Sequence, residues 1–159
     1  MAQTSPPAGA VPKANFPLER KANFNPNWPF VIRHVETNTV LDVFEGPNSQ
    51  RIVLYEYNGG GNQLFTFRDG LIISQKNGLV LDVSQHPEDG QALITFNANG
   101  GRNQQWQLRE YGRIKSQVGQ VVDVRTSAPP IYPLLSAYAT DQREPSDGGD
   151  SQIFELINV

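Results

Sequence analysis

From Trp28 onward, apolar residues come in short runs, and polar, Gly and Pro residues separate them. Twelve runs stand out. Residues 30–35, 40–44, 52–57 and 64–67 form a first set. Residues 71–74, 79–83, 92–96 and 106–108 form a second, and residues 113–116, 121–124, 134–138 and 154–157 a third. Each has the length of a strand, and turn formers punctuate the gaps, as in Gly46-Pro47-Asn48, Asn77-Gly78 and Asn99-Gly100-Gly101. No useful window has apolar residues recurring every 3.6 positions, so the pattern predicts strands and no long helix.

The runs also repeat as sets. Leu41-Asp42-Val43, Leu81-Asp82-Val83 and Val122-Asp123-Val124 are versions of one tripeptide, 40 and 41 residues apart. A second signature follows each: Asn62-Gln63-Leu64-Phe65, Asn103-Gln104-Gln105-Trp106 and Ser151-Gln152-Ile153-Phe154. A fixed period of this size marks a repeat fold. Four strands in each of three copies make twelve, and a closed threefold arrangement leaves few strand edges unpaired. The expected fold is therefore all-β, a β-trefoil with repeats at about 28–67, 68–108 and 109–159.

Residues 1–27 lack this pattern. Pro6, Pro7, Pro12, Pro17 and Pro26 exclude a helix or a central strand, so the segment reads as an N-terminal arm on a domain spanning 28–159. Phe16, Phe24 and Trp28 are the residues that could anchor it. The arm carries a net charge of +2 and the rest of the chain −5, within a total of −3. So weak a charge gives no nucleic-acid surface. There is no Cys, hence no disulfide framework and no thiolate metal site. The N-terminus has no basic start followed by an apolar run, and no stretch reaches membrane-spanning length. The expectation is a cytoplasmic protein, or one exported without a classical signal peptide, with no membrane insertion.

Side chains alternate along a strand. If Leu41 and Val43 face the core, Asp42 faces away, and the same holds for Asp82 and Asp123. Aligned by repeat, Tyr55, Phe96 and Tyr138 follow these carboxylates by 13, 14 and 15 residues, and Asn62 and Asn103 follow their aromatics by seven. The bland reading of the Asp residues is turn capping. The sharper one is sugar binding. A carboxylate accepts strong hydrogen bonds from adjacent hydroxyls, a carboxamide both donates and accepts, and a ring offers a flat apolar face to a pyranose. His34 and His86 are too few for a histidine metal site and are expected on the surface or in a loop. The acidic stretch 141–150 lacks the ordered ligand spacing of a Ca²⁺ loop. No Ser/His/Asp or Cys/His arrangement points to an enzyme.

On these residues the chain resembles the ricin B-type β-trefoil lectins, whose hallmark is a repeated Gln-x-Trp. The resemblance covers about residues 28–159. It implies a trefoil that binds galactose- or N-acetylgalactosamine-type glycans, with no cofactor or metal. It assigns Asp42, Tyr55 and Asn62 to a first site and Asp82, Phe96 and Asn103 to a second. Gln63, Gln104 and Gln152 match the glutamine that supports each site from beneath, and Phe65, Trp106 and Phe154 match the core aromatic. The third copy, with Asp123 and Tyr138, departs from the pattern: Ser151 stands for Asn, thirteen residues after Tyr138. A shallow sugar site binds weakly, so several sites or a homodimer would be needed to agglutinate cells. The rival function is a protein-binding trefoil, a protease inhibitor or adaptor, with vestigial sugar sites. Hydrogen-bond donors around Asp42 would keep it ionised, so binding is expected to fade only near or below about pH 4.

Overall fold

Among the described residues, twelve strands form where the apolar runs lie. The computed structural model describes residues 24–44, 51–85, 91–108, 112–126, 135–142 and 149–159. The first repeat gives β1 (Phe30–His34), β2 (Thr39–Val43), β3 (Ile52–Tyr55) and β4 (Phe65–Arg68). The second gives β5 (Leu71–Ser74), β6 (Val80–Val83), β7 (Leu93–Phe96) and β8 (Trp106–Leu108). The third gives β9 (Ile114–Ser116), β10 (Val121–Thr126), β11 (Leu135–Thr140) and β12 (Phe154–Asn158). Each repeat also has a short 3-10 turn, at Gly61–Gln63, Arg102–Gln104 and Gly149–Gln152.

All pairings are antiparallel. β12 returns to pair with β1 over five residues, from Phe30 opposite Asn158 to His34 opposite Phe154, and closes the sheet. The hairpins β2–β3, β6–β7 and β10–β11 meet one another through equivalent contacts: Val53 faces Ser136, Ile94 faces Arg51 and Tyr138 faces Ala92. These three contacts are the threefold relation of the β-trefoil. Alternation sends one apolar residue in two inward. Phe30, Ile32, Leu41, Val43, Leu54, Leu81, Leu93, Val122 and the aromatics Phe65, Trp106 and Phe154 make one core. Each such large side chain contributes roughly 1.5–3 kcal/mol by leaving water.

The arm's last residues join the domain. The Phe24 ring packs edge-on against Phe30 at 5.2 Å, the Asn25 amide donates to Asn158, and the Phe67 amide donates to the Pro26 carbonyl. Trp28 is exposed. Phe16 lies outside the described residues.

His34 corrects an expectation. It is fully buried on β1, because it follows Phe30 and Ile32 on the inward face of that strand. Its ring lies 5.0 Å from that of Phe154. Nε2 sits 2.8 Å from the Ser151 carbonyl, which can only accept, so Nε2 carries the proton and Nδ1 accepts from Thr37 at 2.8 Å. Burial pushes the imidazole pKa down, so at neutral pH the ring is uncharged. His86 lies outside the described residues.

Candidate functional site

The Asp of each repeat sits on the hairpin's first strand with its side chain off the core. Facing away from the core does not expose them: Asp42, Asp82 and Asp123 are 6%, 3% and 2% exposed. The alternation rule gives the direction of a side chain and says nothing of what folds over it. Here the 3-10 turn some twenty residues later does so. Gln63 Nε2 donates to Asp42 Oδ2 at 2.9 Å and to the Glu56 carbonyl at 2.8 Å, while Asn62 Nδ2 donates to Asp42 Oδ1 at 2.8 Å. The second repeat has the same bonds. Gln104 Nε2 reaches Asp82 Oδ2 at 2.7 Å and the Asn97 carbonyl at 2.8 Å, and Asn103 Nδ2 reaches Asp82 Oδ1 at 3.0 Å.

These groups open onto two pockets of about 440 Å³ each. The first is lined by Asp42, Tyr55, Asn58, Asn62 and Lys76 among others, the second by Asp82, Gln85, Phe96, Asn99 and Asn103. Gln63 and Gln104 are wholly buried beneath them. A carboxylate accepts about four hydrogen bonds in all. Each carboxylate also lines its pocket, where hydroxyls of a ligand can reach it. Tyr55 is half-buried and Phe96 is exposed, so each offers ring surface to the pocket.

Asn58 and Asn99 escaped the sequence reading. Each amide donates at 2.9 Å to Oε1 of the buried glutamine, and each side-chain oxygen accepts at 2.8 Å from the amide of Gly60 or Gly101. The intervening Gly59 and Gly100 have φ of +78° and +79°, which glycine adopts without strain. The signal was present as a repeated Asn-Gly-Gly five residues before each glutamine.

The third repeat is built differently. The repeat alignment that equates Tyr138 with Tyr55 and Phe96 is corrected by the strand register. Tyr55 and Phe96 lie opposite Val40 and Val80, two residues before their Asp. The residue opposite the matching Val121 is Thr140, and Tyr138 lies directly across from Asp123, where Val53 and Ile94 stand in the other copies. The Arg125 guanidinium covers the Tyr138 ring, 4.4 Å from its centroid. Gln152 still donates to Asp123 Oδ2 at 3.1 Å and to the Asp141 carbonyl at 2.8 Å. Asp123 Oδ1, however, takes the Val124 amide at 2.7 Å, where the other copies take an Asn side chain. Among the described residues the supporting glutamine is kept, and Thr140 stands where the ring lies in the other copies. Residues 143–148 of the acidic loop lie outside the described residues.

Electrostatics adds one departure. Burial raises the Asp82 carboxyl above its ordinary value, and the hydrogen bonds from Gln104 and Asn103 pull it down without cancelling that effect. The ionised carboxylate is the stronger acceptor. On acidification, ligand affinity in the second pocket should therefore begin to fall above the ordinary carboxylate value of roughly 3.9. The folded chain takes up this proton before the unfolded chain does, so this group's contribution to stability rises as pH falls. Acidification should thus cost ligand affinity in this pocket without this group destabilising the fold. Carbon-13 titration of the Asp82 carboxyl beside a ligand titration from about pH 7 to 3.5 checks both; a midpoint at or below the ordinary value of roughly 3.9 would refute the assignment.

Fold and pockets together define a β-trefoil with two copies of a carboxylate, ring and carboxamide cradle, each backed by a buried glutamine. The description of the ricin-type β-trefoil lectin domain matches residues 28–144, and the chain belongs to that family. Solved structures agree on the fold. A designed threefold-symmetric protein, ThreeFoil, is 24% identical, covering 82% of this chain and 99% of its own, with a TM-score of 0.67. The Macrolepiota procera ricin B-like lectin, solved with lactose, is 22% identical over 86% of this chain and 99% of its own, with a TM-score of 0.65. The C-half of an earthworm R-type lectin, solved with GalNAc, is 21% identical over 83% and 99%, also at 0.65. No curated protein matches the chain.

Proposed function

We propose that the protein is a lectin that binds galactose- or N-acetylgalactosamine-type sugars in its first and second pockets and leaves them chemically unchanged. One observation carries this reading: the same carboxylate, carboxamide and ring line an open pocket in two repeats, on the same hydrogen-bond scaffold. Asp42 and Asp82 accept from sugar hydroxyls, Asn62 and Asn103 bridge hydroxyl and carboxylate, and Tyr55 and Phe96 stack on the sugar's C–H face. The choice of galactose-type sugars is supported by the family and by the lactose and GalNAc held by two similar lectins. Binding needs no metal in this reading; among the described residues no three His, Cys, Asp or Glu side chains gather as a ligand set. The third repeat serves the fold.

Each pocket buries one sugar and should bind on the order of millimolar, about −4 kcal/mol. Two pockets per chain, or a homodimer, then supply avidity. The test is glycan-array and calorimetric binding with and without EDTA. Lactose or GalNAc should bind equally in both conditions and be recovered intact, and changing both Asp42 and Asp82 should end agglutination. Loss of binding in EDTA would overturn the metal-free mechanism. Binding to no glycan, together with tight capture of a protease or other protein, would favour the protein-binding alternative.

A further inference from the structure

We propose that the first pocket prefers galactose-type sugars carrying an anionic group, a sulfate or a carboxylate, and that Lys76 sets this preference. The proposal rests on the reading of that pocket as a sugar site and adds the class of sugar it selects.

The first pocket is lined on one side by Lys76, which sits in a turn from the neighbouring repeat. Three equivalent turns dock in the same way on the residue that follows a buried glutamine. The Gln75 amide donates to the Leu64 carbonyl at 2.9 Å, the Gln117 amide to Gln105 at 2.9 Å, and the Val35 amide to Ile153 at 3.1 Å. The next residue in each turn is Lys76, Val118 and Glu36, and all three are exposed. The backbone around Lys76 and Val118 is held alike, the Lys76 amide donating to Ser74 Oγ at 3.1 Å and the Val118 amide to Ser116 Oγ at 3.0 Å. One position in the threefold frame is thus cationic, apolar and anionic in turn, and of these three residues Lys76 is the one that lines a described pocket.

The floors of the first two cradles share their chemistry, so the rim is where they differ. Lys76 lines the first pocket together with Asp42, Tyr55 and Asn62. Among the described residues that line the second, Asp82 is the one that carries a charge. A neutral galactoside gains little from this contrast, since an ammonium and a water molecule both satisfy a hydroxyl. An anionic substituent gains in the first pocket alone. The second pocket of the same molecule is therefore an internal control. The pair is solvent-exposed, so the preference should be about two- to fivefold, the range of exposed ion pairs. It should also shrink as salt screens it, the Debye length being about 8 Å at 0.15 M.

The experiment is an amide-resolved NMR titration of the full chain with lactose, a sulfated lactose and a sialylated lactose, at low and high salt. Shifts around Tyr55 and Phe96 report the two pockets separately. At low salt the first pocket should bind an anionic lactose about two- to fivefold more tightly than lactose, with no gain in the second. Lys76→Val, which copies the second repeat, should remove the gain, and Lys76→Arg should keep it. A gain for only one of the two anionic sugars would identify which group Lys76 meets. An equal gain in both pockets, or one that survives Lys76→Val or high salt, overturns the proposal. Lactose binding without an anionic gain overturns it alone; binding of none of the three sugars overturns the underlying sugar reading with it.

Discussion

Replacing Asp42 with Ala is expected to abolish sugar binding in the first pocket and to weaken the fold as well. The two effects have separate causes. Hydrogen bonds to a charged group are worth roughly 1.5–3 kcal/mol, so losing those to sugar hydroxyls should lower affinity about tenfold to a hundredfold. Starting from a millimolar site, that leaves no measurable binding. The fold suffers because Gln63 is wholly buried and one of its amide hydrogens loses its acceptor when the carboxylate goes. An orphaned buried donor costs about 1–3 kcal/mol. Asp42→Asn is no gentle substitute, since its NH₂ would face the NH₂ of Asn62 or Gln63. Binding in the second pocket should persist. Site-resolved titration and urea unfolding of the same variant measure the two effects, and first-pocket affinity within twofold of the parent would remove Asp42 from the mechanism.

Trp106→Ala should be the most damaging single change to stability. The indole is 2% exposed in the common core, and its Nε1 donates to the Leu81 carbonyl at 3.0 Å. Truncating a buried aromatic costs about 3–5 kcal/mol, which in a domain of this size lowers the melting temperature by roughly 10–20 °C. The other repeats carry Phe65 and Phe154 at this position, so the core accommodates a phenyl ring there. Trp106→Phe should therefore cost only about 1–2 kcal/mol, for the lost area and the orphaned carbonyl. Neither change touches a ligand-facing atom, so sugar preference should be unaltered in the folded fraction. Reversible thermal and denaturant unfolding would settle the matter; a cost below 1 kcal/mol for the Ala variant would show that Trp106 does not support the core as described.

The twelve strands and the threefold relation were legible because strand alternation and turn residues are local, and because a forty-residue period is hard to mistake. Asp42, Asp82 and their amide partners were legible for the same reason: they recur in register. What could not be read was the outcome of folding one segment over another. Alternation put Asp82 off the core, but only the later 3-10 turn buries it, and that burial outweighs the hydrogen bonds in setting its pKa. Spacing suggested that Tyr138 stood for Tyr55. The β10–β11 register places it two residues away, beside Arg125. Lys76 belongs to a different repeat from the pocket it lines, so no pattern within one repeat could reveal it.

The seam between β1 and β12 has a consequence for synthesis. Residues 30–34 are among the first of the domain to emerge from a ribosome, and their partners 154–158 are among the last. Until those partners arrive, β1 exposes a row of unsatisfied backbone groups, and His34 lacks both Phe154 and the Ser151 carbonyl. Contacts so distant along the chain form slowly, and an open strand edge invites pairing with another nascent chain. The hairpins can assemble early, but the ring cannot lock. Closure of this seam is therefore expected to be the last step of folding.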